Sequence, residues 1–267
     1  MARALVNGIG IEYQLDGQGK ETVALLNGIA MSISHWKPVA ARFVAAGYRV
    51  LMHDLRGQLL SDKPEAPYSF EEHARDLAAL LAELGIEKAH IVGTSYGAEL
   101  GLAFARDFPE LCASLVAIDG VSEYDAVLGA AVESWKAAAL CDPRVFYRTI
   151  LPWNYSAGYL RANSEALARR EDAIASLPRA WFEAFARLCD AFLAIDLTKD
   201  LGRIACPCLV IVAERDILKH WAYSRIIAEG VPGARLEEVA GSGHALVVEK
   251  PEELCDSILR FLASLRG

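Results

Sequence analysis

No stretch of 18 uninterrupted apolar residues occurs in the chain, so no transmembrane helix is expected. There is no basic stripe either. The 27 Lys and Arg are outnumbered by 35 Asp and Glu, and the formal net charge of −8 at pH 7 argues against nucleic acid as a partner. Internal repeats and low-complexity tracts are absent. Cysteine is sparse: six residues (112, 141, 189, 206, 208 and 255) are scattered through apolar segments and are expected to be small core residues. The close pair Cys206-Pro207-Cys208 has no further Cys or His at ligand spacing, so no metal is expected. The opening Met1-Ala2-Arg3-Ala4-Leu5-Val6-Asn7-Gly8 is too short and too polar for a signal peptide, and a cytoplasmic location is the default expectation.

Apolar side chains, by contrast, are plentiful. At 54 % hydrophobic and 23 % charged over 267 residues, the chain reads as globular, with length for one large domain or two small ones. Strand-like and helix-like segments alternate. Residues 9–15 and 22–26 flank the turn Asp16-Gly17-Gln18-Gly19 and are expected to pair as a hairpin. A helix is expected over 34–46, ended by Gly47, then a buried strand over 48–52 and a helix over 70–84 closed by Gly85. Strands follow over 89–92 and 113–118, then 208–212 and 235–239, with helices near 98–105, 221–229 and 251–265. Between 121 and 201 no strand-like run occurs, and the segment is rich in Ala, Arg and Glu with interspersed aromatics. Repeated βα units imply a mostly parallel sheet flanked by helices. An α/β core over 1–120 and 202–267 with a helical cap over 121–201 is the economical reading.

Gly93-Thr94-Ser95-Tyr96-Gly97 sits between the expected strand and helix. That context turns a loose G-x-S-x-G pattern into a sharp turn that exposes a serine hydroxyl. The turn needs small residues two before and two after the serine, and the helix N-terminus beneath it favours negative charge. A serine needs a base, and the base needs an orienting acid. Gly241-Ser242-Gly243-His244 follows the last strand and Glu214-Arg215-Asp216 follows the strand before it, both on the rim of Ser95. Ser95, His244 and Asp216 are the catalytic candidates. Asp216 has a blander role open to it as a helix cap, and Asp119, after the 113–118 strand, is the competing acid. The oxyanion donors are expected from the backbone N–H groups of Tyr96 and of Ile29 in Asn27-Gly28-Ile29-Ala30-Met31. Asn27 is expected to shape that loop through its side chain.

Asp54-Leu55-Arg56-Gly57, Gly93 to Gly97, Glu214-Arg215-Asp216, and Gly243-His244 with the following Glu249-Lys250-Pro251-Glu252-Glu253 together resemble the α/β-hydrolase superfamily over nearly the whole chain. The resemblance implies an α/β-hydrolase fold with a Ser-His-Asp triad and no cofactor. Asn27 departs from the commoner His of the oxyanion loop, and Leu59 stands where many relatives carry Gly. Asp54 and Arg56 are expected to make structural hydrogen bonds and an ion pair. Asn27, Gly28, Met31, Trp36, Trp135, Trp153, Tyr155 and Trp181 are the candidate substrate-binding residues, the cap aromatics forming an apolar ceiling. His35 is a further pocket candidate.

The implied reaction is hydrolysis of a carboxylic ester or thioester with an apolar acyl part. A first alternative keeps the triad and passes the acyl group to an alcohol or thiol. The chain is similar here to hydroxyacyl transacylases and lipid-precursor synthases, although those tend to have Trp at the position of Tyr96; an acyl carrier or coenzyme A thioester would then be the partner. A second is a cofactor-free dioxygenase or lyase using His244 and Asp216 as base with a spectator serine. A silent binding protein is the third. Haloalkane dehalogenation is excluded by chemistry, since its nucleophile must be a carboxylate and position 95 is Ser.

Overall fold

Asn7 and Gly8 both take positive φ, 50° and 79°, the backbone that a two-residue hairpin turn requires. They join β1 (Ala2–Val6) to β2 (Ile9–Asp16) as an antiparallel pair. The expected hairpin between 9–15 and 22–26 is therefore not formed. Instead β3 (Thr22–Leu26) lies parallel between β4 (Arg49–His53) and β5 (Ala89–Thr94), while β2 pairs antiparallel with β4. The physical reason is burial on both faces. All five residues of β3 are buried, and such a strand belongs inside a helix-covered parallel sheet rather than at an edge.

The computed structural model, which describes residues 1–266, completes the sheet with β6 (Cys112–Ile118), β7 (Cys208–Ala213) and β8 (Arg235–Val239). Strand order is β1-β2-β4-β3-β5-β6-β7-β8, parallel from β4 onward. One face is covered by α1 (Lys37–Ala45) and a C-terminal helix (Pro251–Ser264), through Trp36, Val39, Phe43, Leu254, Ile258 and Phe261. The other is covered by α2 (Phe70–Glu83) and α3 (Tyr96–Asp107), with a further helix, Trp221–Gly230, against β7 and β8. Four of the six cysteines are buried as expected; Cys141 is exposed and Cys206 is half-buried.

Residues 121–201 hold helices and no strand. Side-chain caps and prolines divide the segment into α4 (Ala126–Cys141), α5 (Pro143–Asn154), α6 (Ala157–Ala162), α7 (Ser164–Ala175) and α8 (Arg179–Leu193). Asp125 accepts from the N–H groups of Val127 and Leu128, Asp142 from those of Arg144 and Val145, and Ser156 from that of Tyr159. The segment leaves the sheet after β6 and returns before β7, its neighbour. Its two ends are joined where the Leu197 N–H donates to the Ser122 carbonyl at 2.9 Å and the Ser122 and Thr198 hydroxyls meet at 2.8 Å.

Candidate active site

Ser95 has φ 53° and ψ −120°, a left-handed conformation that costs a residue with a Cβ. The cost is held in place by contact on both sides. A Cβ at Gly93 would lie 2.0 Å from the Gly97 carbonyl oxygen, and one at Gly97 would lie 2.2 Å from that of Leu26. The glycine spacing read from sequence is thus a packing requirement of α3 against β3 and β5.

The turn delivers the Ser95 hydroxyl to His244, with Oγ and Nε2 2.9 Å apart. The other ring nitrogen, Nδ1, lies 2.7 Å from Asp216 Oδ2. An acceptor carboxylate at Nδ1 fixes the proton there and leaves Nε2 free to accept from the serine. Burial pushes the Asp216 carboxyl upward, but His244 and the Lys219 and Leu218 backbone N–H groups together hold it below the ordinary value. Both of those N–H groups donate to Oδ1, at 2.9 and 2.8 Å. Asp216 therefore closes a turn with one oxygen and faces the histidine with the other; it does not cap the following helix, whose N-cap is His220.

Asp119 is the neighbour rather than the partner. Its Oδ1 accepts from the Ala213 N–H at 2.7 Å, its backbone is left-handed at φ 47°, and its buried Oδ2 has no hydrogen-bond partner among the described residues. Burial first, then the charge of Asp216, pushes its carboxyl well above the carboxylate range. The two carboxyls are thus pushed in opposite directions, Asp119 upward and Asp216 downward. Asp119, Asp216 and His244 bring one donor atom each within 4.8 Å of one another, but His244 and Asp216 already bond each other and Asp216 Oδ1 is occupied by the backbone, an arrangement that leaves no vacant donor set for a metal.

The loop opposite Ser95 is clamped from behind. Asn27 is fully buried; its amide donates to the His53 carbonyl (3.1 Å) and Gln58 Oε1 (3.0 Å), and its oxygen accepts from Trp36 Nε1 (3.0 Å). Gln58 Nε2 donates to the Gly28 and Ile29 carbonyls at 2.9 and 3.2 Å. Among the described residues, the backbone N–H groups of Ile29 and Tyr96 donate to nothing. With the carbonyls turned toward Gln58, those donors remain for a ligand oxygen. Gln58 precedes Leu59, the departure seen in sequence, and its role depends on contacts across 30 residues. Asp54 and Arg56 are structural as expected: Asp54 Oδ1 accepts from the Ile33 N–H at 2.9 Å, and Arg56 pairs Asp76 in a fork at 2.8 and 3.0 Å.

Sequence reasoning also missed Glu99 and Lys219. Glu99, on the first turn of α3, is fully buried and pairs Lys219 at 2.8 Å, while its other oxygen accepts from the Val121 N–H at 2.8 Å. The same Lys219 supplies one of the N–H groups that hold Asp216. The helix that follows Ser95, the start of the helical segment and the turn of Asp216 are tied together at one buried charge pair. A lone Glu inside an apolar helix face was its sequence signal.

A cavity of about 150 Å³ opens over Ser95 and His244, a size class that holds a benzene-sized ligand. Of the predicted pocket residues, Gly28, Ile29, Met31, His35, Tyr96, Trp135 and Tyr155 line it. Asn27, Trp36, Trp153 and Trp181 do not. Asn27 and Trp36 are consumed in the clamp beneath the loop, Trp181 stacks on Phe185 one layer back, and Trp153 packs half-buried against the core. Among the described residues no helix is long and apolar enough to cross a membrane.

Residues 23–257 match the sequence model of the "Alpha/beta hydrolase family". A protein of Stutzerimonas stutzeri named "Putative carbamate hydrolase RutD" is 31 % identical over 264 residues, covering 96 % of this chain and 98 % of its own. Among solved structures, an enol-lactonase from Burkholderia xenovorans superposes with a TM-score of 0.90 at 25 % identity, over 98 % of this chain and 100 % of its own. An alpha/beta hydrolase enzyme from a deep-sea metagenome library gives 0.93 at 27 % identity, over 98 % and 97 %.

Proposed function

Because the chain belongs to the alpha/beta hydrolase family, we propose that it is a serine hydrolase that cleaves the acyl bond of a small ester, lactone, thioester or carbamate through an acyl-enzyme on Ser95. The observation that carries this reading is the unbroken chain from Asp216 through His244 to Ser95, 2.7 and 2.9 Å per link, at the floor of the cavity.

In this reading Ser95 Oγ attacks the carbonyl carbon and its proton passes to His244 Nε2. The carbonyl oxygen becomes an oxyanion held by the Ile29 and Tyr96 N–H groups. His244 returns the proton to the departing oxygen, sulfur or nitrogen, leaving Ser95 acylated. Water then repeats the sequence: His244 takes its proton, the hydroxide adds to the acyl carbon, and the serine leaves with the proton restored. The chemistry runs on the chain's own groups, and the helices of 121–201 serve as the cap that encloses the acyl group. The names carried by the relatives, carbamate hydrolase and enol-lactonase, support an acyl substrate with either an oxygen or a nitrogen leaving group.

A fluorophosphonate is expected to label Ser95 stoichiometrically. Ser95→Ala should lose about 10⁴-fold or more in kcat on an activated ester, as a triad deletion does. Retention of most turnover by Ser95→Ala, with loss in His244→Ala, would overturn the acyl-enzyme and favour a His-Asp base acting directly on substrate.

A further inference from the structure

The cavity over Ser95 is lined by no Asp and no Glu, although the molecule as a whole carries a net charge of −8. Two fixed cations stand in its wall. Lys219 is neutralised by Glu99 at 2.8 Å. Arg170, on α7, has no carboxylate partner among the described residues. Its bonds go to neutral acceptors: Nη1 donates to the Tyr155 hydroxyl and Nη2 to His35 Nε2, each at 2.6 Å. Burial first, and then Arg170 itself, pushes His35 down to about 4, so the imidazole is a neutral acceptor at ordinary pH. The neighbouring Arg144 and Arg148 differ, since both spend their charge on Glu171 outside the cavity.

A guanidinium has five N–H donors in a fixed fork, so two bonds leave three unspent. Two further donors in the same wall are unspent as well. Tyr147 and Trp135 are buried and line the cavity, and neither the Tyr147 hydroxyl nor Trp135 Nε1 has a hydrogen-bond partner. Orphaned buried polar atoms are rare in folded proteins and call for an explanation. Here both are donors or can act as donors, and they line the same cavity as Arg170. Such a set is complementary to an anionic acceptor with two oxygens. Apart from Asn154, the rest of this wall, including Leu128, Val132, Phe146 and Ile174, is apolar.

We propose that the cap end of the cavity is a carboxylate site, in which Arg170 holds an acid group of the substrate with Tyr147 and Trp135 as supporting donors, so that the substrate is a small acyl compound carrying a free carboxylate away from the bond to be cleaved. The inference rests on the serine-hydrolase reading for the bond that breaks, but the site is a matter of binding and is tested apart from turnover.

Calorimetry on Ser95→Ala with the monomethyl and dimethyl esters of succinate, glutarate and adipate separates the two, since each pair differs in one charge at nearly constant size. The expected result is that at least one monoester binds tenfold or more tightly than its diester. That preference should vanish in Ser95→Ala/Arg170→Gln and return in part with Arg170→Lys, which restores the charge without the fork. Equal binding of mono- and diester across the series, or a preference that survives Arg170→Gln, would overturn the site. Intact Ser95 enzyme that shows the binding preference but is not labelled by a fluorophosphonate would sink the hydrolase reading and leave the carboxylate site standing.

Discussion

Asp119 shows how much a single buried oxygen decides. Its carboxyl is pushed well above the usual carboxylate range by burial and by Asp216, so the folded chain holds that proton to higher pH than the unfolded chain does. Stability on this account is fully present below about pH 4 and falls as pH rises toward the raised value. Asp119→Asn removes that titration while keeping an oxygen for the Ala213 N–H. Urea unfolding should therefore show the variant gaining on wild type as pH rises from 5 to 8; a gap that stays constant or shrinks would contradict the upward shift. At this scale the convergence of Ser95, His244 and Asp216 was legible because a strand-turn-helix serine and two loops on the same rim admit few arrangements. Arg170, Gln58 and Lys219 were not. An arginine in a helix, a glutamine in a loop and a lysine before a helix have many solvated uses, and only the third dimension shows them turned inward.

Helix α3 is the element on which the site depends. Its N-terminus carries Ser95, Gly97 lets it touch the Leu26 carbonyl, and Glu99 binds it to the turn of Asp216. Removing one member of a buried charge pair leaves the other uncompensated, at a cost of about 3–5 kcal/mol. Glu99→Gln should lose stability on that scale in denaturant unfolding. Glu99→Met/Lys219→Met should lose much less, and equal losses would show that the pair is no unit. Elements with strong periodicity were read well from sequence: α2 was expected over 70–84 and is found at Phe70–Glu83, and β8 matches its expected 235–239. The hairpin was misread because Asp16-Gly17-Gln18-Gly19 carries more obvious turn residues than Asn7-Gly8. Pairing is decided by which strand is buried on both faces, and a local turn signal does not contain that.

Across the whole molecule, the alternation of strand and helix and the strand-free stretch at 121–201 fixed the architecture in outline. The strand order and the wall of the cavity needed contacts between distant parts of the chain. One consequence follows from the place where the helical segment meets the sheet. Its exit and entry lie on the adjacent strands β6 and β7 and are joined through Ser122, Leu197 and Thr198. The segment thus enters and leaves the sheet at one seam, and Asn154 and Ser156 bond it a second time to the loop of His244, through the Ala245 N–H and Glu249. Grafting the corresponding segment of a relative between Ser122 and Thr198, with Val121 kept for Glu99, should change which acids and esters bind while fluorophosphonate labelling of Ser95 persists. Loss of labelling in a folded graft would show the segment to be part of the reaction machinery. If labelling survives, new specificities can arise by exchange at that seam, with the nucleophile, base and acid inherited unchanged.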